Sequence, residues 1–115
     1  MEADHFFKAL CDPTRLRMLV LLGCEGELCV CELTHALEEI QPKISRHLAQ
    51  LREIGVVIDR RQGQWIYYRL NADLPDWART VLKATIEGVM AQPPFSSDRQ
   101  SLRNMPNRPR TACCA

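Results

Sequence analysis

The chain has 115 residues, of which 46% are hydrophobic, and its formal net charge is +1. This length allows one small domain, and the near-zero charge excludes a bulk polycation. The apolar run at residues 18–22 is too short to span a bilayer and nothing resembles a signal peptide, so we expect a cytoplasmic protein with no membrane partner. Six cysteines in that compartment favour metal binding or redox chemistry over a disulfide framework.

Two helices are predicted at the start of the chain. A short first helix follows Asp4 as its cap and carries the apolar residues Phe6, Phe7 and Leu10. The pair Asp12–Pro13 is typical of a helix start, because Asp is a favoured N-cap and Pro is tolerated in the first turn. Gly23 is predicted to end this second helix.

The next two helices predict a helix-turn-helix. The third begins near Leu28–Cys29, and its buried face carries Val30, Leu33 and Leu37. After a turn at residues 38–40, Pro42 opens the fourth helix, with Gln41 as its cap, and Gly55 ends it. Two short helices joined by a tight turn are typical of this DNA-binding motif.

Two β-branched and aromatic runs follow, at residues 56–61 and 65–70, and flank the turn Gln62–Gln64. They predict a hairpin, which forms a wing when it follows a helix-turn-helix. The fold class is therefore mainly α with a β-hairpin, a winged helix-turn-helix.

Pro75 opens a last predicted helix, which carries a wide apolar stripe. The stripe and the first helix are expected to form a homodimer interface, and the alternative is that they cover the subunit's own core. Residues 1–91 are thus assigned to one DNA-binding and dimerisation domain. Residues 92–115, rich in Pro, Ser, Asn and Arg, are predicted to be a flexible tail that ends near a cysteine pair.

Basic residues concentrate in the predicted DNA-reading elements. Residues 41–69 contain six cationic and two acidic side chains, a local charge of +4, whereas residues 25–40 contain five acids and no Lys or Arg. Helical spacing places Lys43, Arg46 and Gln50 opposite the buried stripe of the fourth helix, with Ser45 and His47 at its flanks. An outward Arg can read guanine, and Lys more often holds phosphate. The full set of predicted DNA contacts is Gln41, Lys43, Ser45, Arg46, His47, Gln50, Arg60, Arg61, Gln62 and Gln64. For His47 a structural role is an equal alternative.

Cys29 and Cys31 are the predicted ligands of a soft ion. If both lay on a regular helix, they would project about 200° apart. Binding one ion would then need local unwinding or a helix start between them, and the resulting strain would shift the DNA-reading helix. The alternative is that both are small buried apolar residues.

Two thiolates rarely complete the coordination of a soft ion, because zinc takes four ligands and trivalent arsenic or antimony is expected to take three thiolates. Cys113 and Cys114, near the end of the predicted tail, are the candidates for the remaining ligands. Cys11 and Cys24 lie at predicted helix ends and are more often structural. No phosphate-binding loop and no nucleophile–base pair is visible, which argues against an enzyme.

The chain resembles the ArsR/SmtB family of metal-responsive repressors, and within it the arsenical resistance operon repressors. The resemblance covers roughly residues 5–90 and rests on four segments, at residues 7–16, 27–33, 41–48 and 60–65. It implies a dimeric winged helix that binds operator DNA and dissociates when arsenite or antimonite binds, with Cys29 and Cys31 as inducer ligands and no organic cofactor. Many relatives have a third cysteine where this chain has Thr34.

The residues leave several inducers open. The pair Cys113–Cys114 substitutes for the missing third cysteine, or the site prefers an arsenical that needs two thiolates, such as a methylated one. A sensor of cadmium or lead on the same scaffold and a thiol-redox regulator are also compatible with these residues.

Overall fold

The computed structural model describes residues 1–108 of the chain. Within them lie six helices and three strands: α1 Ala3–Cys11, α2 Pro13–Glu25, β1 Glu27–Cys29, α3 Val30–Leu37, α4 Gln41–Ile54, β2 Val57–Gln62, β3 Trp65–Leu70, α5 Asp76–Val89 and α6 Phe95–Arg103. The helix-turn-helix is α3–α4 and the wing is β2–β3, so the predicted winged helix-turn-helix is confirmed. Among the described residues, no helix is both long enough and apolar enough to cross a membrane.

Local sequence signals set several helix boundaries as predicted. The Asp12 carboxylate accepts a hydrogen bond from the Arg15 backbone N–H at 2.9 Å and caps α2. Gly55, with φ 94°, ends α4 in the left-handed conformation that glycine adopts easily. The N-cap of α4 is Ile40 rather than Gln41, which is the first helical residue.

The sequence predicts that Gly23 ends α2, and this prediction is wrong. The helix continues to Glu25, and Gly26 caps it. A Cβ atom at Gly23 would collide with the Ile86 side chain of α5. Gly23 therefore lies at a close approach of two helices and not in a turn, and a larger residue there would require the end of the Ile86 side chain to shift.

The three strands form one antiparallel sheet in the order β1-β3-β2. The predicted hairpin is confirmed, with Gln62 opposite Trp65 and Gly63 in the turn at φ 62°. Strand β1 was not predicted, since three residues are too few to show a strand period. It pairs with β3, and Cys29 lies opposite Tyr67.

The core is built where α2, α3 and α4 meet the sheet. Its completely buried side chains include Phe6 from α1 and the predicted stripe of α4, namely Ile44, Leu48 and Leu51. Burial of this apolar face fixes the orientation of α4, so the polar residues on its opposite face point outward.

Residues 95–103 form helix α6, so the prediction of a flexible tail from residue 92 is wrong for this segment. The helix packs on α3 and α2, and its Leu102 is completely buried. Its Asp98 is 2% exposed and pairs with Arg17 of α2 at 2.6 Å. The polar composition of this segment does not predict a packed helix, because the contacts that attach it to the core include one buried leucine and one buried ion pair. The predicted cysteine pair, Cys113 and Cys114, lies outside the described residues.

Candidate thiol site and nucleic-acid interface

The Sγ atoms of Cys29 and Cys31 lie 2.8 Å apart and share a hydrogen bond. This thiol pair straddles a helix start, because Cys29 is the extended N-cap of α3 and Cys31 lies in its first turn. The sequence leaves two ways for both thiols to face one ion, local unwinding or a helix start between them, and the structure has the helix start. The two sulfurs are already adjacent, so one ion could contact both without unwinding α3.

Glu32, which was not among the predicted site residues, supports Cys29. Its Oε1 accepts a hydrogen bond from the Cys29 backbone N–H at 2.9 Å, and the Glu32 side chain is almost completely buried. Its other oxygen, Oε2, lies 2.8 Å from Arg108 Nε. The spacing of a cap residue and a Glu three residues later is that of a capping box, and this signal could have identified Glu32.

The surroundings of Cys29 favour the neutral form of its thiol. Burial is the main cause that raises its pKa well above the ordinary value, and the hydrogen bond to Cys31 raises it further. The backbone N–H of Glu32 opposes this effect without overcoming it. Cys29 therefore needs a partner that displaces its proton before it can act as a thiolate ligand.

A cleft of about 300 Å³ opens beside the thiol pair. It is lined by the thiol segment, the start of α4 and the wing, through Cys29, Val30, Cys31, Thr34, Gln41, Gln64, Trp65 and Ile66. Thr34 does not extend the ligand set, since its hydroxyl donates to the Cys31 carbonyl at 2.9 Å. Within residues 1–108, no group of three or more His, Cys, Asp or Glu side chains could hold a metal ion.

The thiol pair is connected to the wing through the backbone. Cys29 lies opposite Tyr67 on β3, and Tyr67 lies opposite Arg60 on β2. The Arg60 guanidinium stacks over the Tyr67 ring at 5.0 Å and contacts both carboxylate oxygens of Glu27 at 2.8 and 2.7 Å. A displacement of Cys29 would therefore act on the wing through neighbouring strands.

The predicted DNA-contact residues of α4 divide into exposed and buried groups. Gln41, Ser45, Arg46 and Gln50 are exposed, and Lys43 is half-buried. Lys43 pairs with Glu39 at 2.9 Å, and Gln50 accepts a hydrogen bond from Arg15 at 3.0 Å.

His47 belongs to the interior and not to the exposed row. It is 8% exposed, and its Nδ1 lies 3.5 Å from Arg15. Burial lowers its pKa below the ordinary value, which favours the neutral form. The structural alternative for this residue therefore fits better than a DNA contact.

The wing residues Arg60, Arg61, Gln62 and Gln64 are all exposed. Arg60 donates to Gln62 at 2.7 Å as well as to Glu27, so its charge is already neutralised in part. Arg61 is thus better placed than Arg60 for a phosphate contact. Together with the pairs Lys43–Glu39 and Arg52–Asp59, the Arg60–Glu27 contact makes the basic surface smaller than the sequence predicts.

Comparison with known proteins identifies the family. Residues 12–59 match the family described as bacterial regulatory protein, arsR family. The chain is 54% identical over 110 residues to the arsenic resistance transcriptional regulator ArsR1 of Pseudomonas putida, covering 95% of this chain and 84% of that protein. It is 55% identical over 78 residues to the arsenical resistance operon repressor of Escherichia coli, covering 68% of this chain and 67% of that protein.

Solved structures give the same result. The crystal structure of the transcriptional repressor BigR from Xylella fastidiosa superposes with a TM-score of 0.68 at 34% identity, covering 78% of this chain and 85% of BigR. The family match at residues 12–59 includes the helix-turn-helix, and the likeness to BigR covers a larger part of the chain. The chain therefore belongs to the arsR family of bacterial regulatory proteins, which are DNA-binding transcriptional regulators and not enzymes.

Proposed function

We propose that this chain is an arsenite- or antimonite-responsive repressor, which binds operator DNA as a homodimer and dissociates when As(III) or Sb(III) binds its cysteine thiolates. The observation that carries the proposal is the 2.8 Å separation of the Cys29 and Cys31 sulfurs at the junction of the wing and the helix-turn-helix. Trivalent arsenic and antimony are soft and bind thiolates strongly. The names of the two relatives above, which concern arsenic, support the same inducer.

The inducer displaces the protons of the thiols it binds. Arsenite is a neutral trihydroxide in water, so each thiol proton leaves with a hydroxide as water and no net charge has to enter the site. A divalent cation would instead have to expel the proton of a buried Cys29 into solvent. The neutral thiol therefore favours the metalloid over cadmium or lead.

A third sulfur ligand is proposed from Cys113 or Cys114. The thiol pair supplies two ligands, and Thr34 stands at the position where the resemblance to the arsenical resistance operon repressors implies a third cysteine. Both tail cysteines are included in the proposed ligand set, with Cys29 and Cys31.

The proposed DNA surface combines the exposed row of α4 with the wing. Arg46 and Gln50 read bases in the major groove, while Lys43, Ser45 and Gln41 position the helix on phosphates. Arg61 contacts the backbone or the minor groove from the wing, with Arg60, Gln62 and Gln64 beside it. His47 supports α4 from within.

Helices α1 and α5 are the proposed dimer interface. The ring centroids of Phe7 and Trp77 stack at 6.2 Å, and these large apolar side chains are 50% and 40% exposed. The buried Phe6 ring packs edge-on against both of these rings. An exposed aromatic cluster on adjacent helices is typical of a protein–protein contact.

Release of DNA follows from the position of Cys29. An ion bound by both sulfurs replaces their 2.8 Å hydrogen bond and sets a new separation. Because Cys29 is both the end of β1 and the cap of α3, this change moves the wing relative to the helix-turn-helix. A dimer whose wings and recognition helices no longer match the duplex loses affinity.

The experiment measures binding of a fluorescent duplex from the protein's own promoter by anisotropy, with increasing arsenite. Wild type should release the duplex. Cys29→Ser and Cys31→Ser should bind DNA normally but not respond, and serine keeps the capping ability of Cys29. Cys11→Ser, at an exposed thiol on α1, is the matched control and should respond like wild type. If both site variants release DNA at wild-type arsenite concentrations, the site assignment is refuted.

A thiol-redox regulator is the second candidate, and the same 2.8 Å contact favours it, because the sulfurs need to approach by less than 1 Å to reach disulfide length. In that case hydrogen peroxide would take two electrons from the pair, form the disulfide and leave as two waters. Release by peroxide but not arsenite, with a mass loss of two hydrogens, would select this candidate. Parallel titrations with cadmium, lead and a methylated trivalent arsenical distinguish the remaining inducers.

A further inference from the structure

We infer that Arg15 determines how Gln50 reads operator DNA, because it fixes the orientation of the Gln50 side-chain amide on α4. The inference rests on the proposed function and deepens it, since it names the base edge that this glutamine recognises. Arg15 is a positioning residue, and it acts on the DNA through Gln50.

One guanidinium, that of Arg15, joins the end of α1 to α4. Its Nε donates to the Ala9 carbonyl at 3.1 Å, and its Nη2 donates to the Lys8 carbonyl at 3.0 Å. Its Nη1 donates to Gln50 Oε1 at 3.0 Å. The planar fork of arginine thus directs its donors to two helices at once, which a single ammonium group cannot do with the same geometry.

The two contacts to α1 hold the guanidinium in place. Lys8 and Ala9 lie in the last turn of α1, where backbone carbonyls lack a partner within the helix. The negative end of the helix dipole attracts a cation at this position. The Arg15 backbone N–H also donates to the Asp12 carboxylate at 2.9 Å. Arg15 is therefore held at both ends of its side chain by contacts that do not involve Gln50.

The chemistry of arginine decides which end of the Gln50 amide faces it. A guanidinium has five N–H donors and no acceptor, so only the amide oxygen of Gln50 can bond to it. A hydrogen bond from a charged donor is also stronger than one between neutral groups. The NH₂ group, at the opposite end of the planar amide, therefore faces away from Arg15.

This orientation changes the base that Gln50 is expected to read. Gln50 is exposed on the face of α4 that the proposed function directs into the major groove. A glutamine that reads adenine uses both ends of its amide, because the oxygen accepts from N6 and the NH₂ group donates to N7. Here the oxygen is engaged by Arg15, so the NH₂ group is the end that meets the base. Guanine offers this donor two acceptors, O6 and N7, so Gln50 should favour guanine over adenine.

Operator duplexes with guanine or adenine at each position test this expectation by fluorescence anisotropy. Gln50→Ala identifies the position that Gln50 reads, because the base preference should be lost only there. At that position the wild type should bind the guanine duplex more tightly than the adenine duplex. Arg15→Met releases the amide oxygen, so the ratio of the two affinities should shift towards adenine by about fivefold or more, the discrimination of one bidentate contact.

The ratio of affinities distinguishes positioning from a purely structural role. A less stable fold binds both duplexes less tightly by the same factor, so an unchanged ratio in Arg15→Met would overturn the inference. Arg15→Lys keeps a cation at the end of α1 but lacks the fork, so it should show the same shift with a smaller loss of stability. Urea unfolding compares the stabilities, and Arg15→Lys carries the test if Arg15→Met does not fold. Arg61→Ala is the matched control, which should weaken binding to both duplexes equally.

These outcomes separate the inference from the proposed function. If the wild type releases its operator with arsenite but Gln50→Ala alters no base preference, the repressor function stands and the inference is wrong. A wild type that prefers adenine at the position read by Gln50 would also overturn the inference alone. If the wild type does not distinguish its promoter from random DNA, the proposed function is wrong and the inference falls with it.

Discussion

The ion pair between Arg17 and Asp98 attaches α6 to the DNA-binding core, and its two ends should respond unequally to mutation. The Asp98 side chain is 3% exposed and the Arg17 side chain is 24% exposed. Arg17 donates two hydrogen bonds to Asp98, from Nε at 2.9 Å and from a terminal nitrogen at 2.6 Å. The carboxylate therefore depends on arginine, whereas the guanidinium is partly hydrated.

Arg17→Met leaves the buried Asp98 carboxylate without a counter-charge, and removing one partner of such a pair costs about 3–5 kcal/mol. Since the site opens to solvent on the arginine side, we expect about 3 kcal/mol, at the lower end of this range. Asp98→Asn keeps one acceptor and leaves a guanidinium that water can reach, so it should cost about 1–2 kcal/mol. The double variant Arg17→Met with Asp98→Leu buries no charge and should recover most of the loss.

Urea unfolding, followed by far-ultraviolet circular dichroism, measures each free energy of unfolding. Arg103→Met is the control on the same helix, because the contact of Arg103 within residues 1–108 is an exposed one, to Gln100. Equal costs for the two single variants would refute the exposure argument. A cost below about 0.5 kcal/mol for Arg17→Met, the range of ordinary surface substitutions, would mean that α6 does not depend on this pair.

Three further predictions concern pH, DNA and assembly. The pKa of Cys29 is higher in the folded protein than in the unfolded chain, where it is about 8.5, so its contribution to stability is present below that pH and is lost as the pH rises above it. The urea midpoint should therefore fall between pH 8 and 10, and it should fall less steeply in Cys29→Ser. Parallel declines in the two proteins would contradict the assignment of this effect to Cys29. Arg46→Ala should weaken binding to operator DNA more than binding to random DNA, while Arg61→Ala should weaken both and reduce the slope of log affinity against log salt concentration by about one unit. Anisotropy at several salt concentrations distinguishes the two variants. Identical profiles would count against a base contact for Arg46 and a phosphate contact for Arg61. Replacing Phe7 or Trp77 by Ser should shift the protein towards a monomer in sedimentation, and an unchanged mass for both variants would argue against the α1–α5 interface.

Much of the fold could be predicted because it is specified by local chemistry. Asp12 and Gly55 act within one helical turn, so their effects are visible in sequence. Gly23 looks like the same kind of signal, but its role depends on Ile86, which is distant along the chain. Helix α6 was missed for a related reason, because the contact that holds it, Asp98 to Arg17, is also distant in sequence.

The sequence predicts which two cysteines could form a thiol site, but it does not predict how far apart their sulfurs lie. The Cys-x-Cys spacing identifies the sulfurs, but their separation depends on where α3 begins. That boundary is set by β1, which forms only by pairing with β3. A shift of one or two residues in the helix start changes the sulfurs from opposite faces to hydrogen-bonding contact.

The double role of Cys29, as the last residue of one strand and the cap of one helix, affects how signalling can evolve in this fold. In the proposed mechanism one inducer ligand belongs both to the sheet of the wing and to the helix-turn-helix, so no chain of intermediate side chains has to be maintained between them. Surface positions elsewhere can drift without breaking the response. On that proposal, a change of inducer needs new ligands around Cys29 and leaves the DNA-contact residues of α4 unchanged.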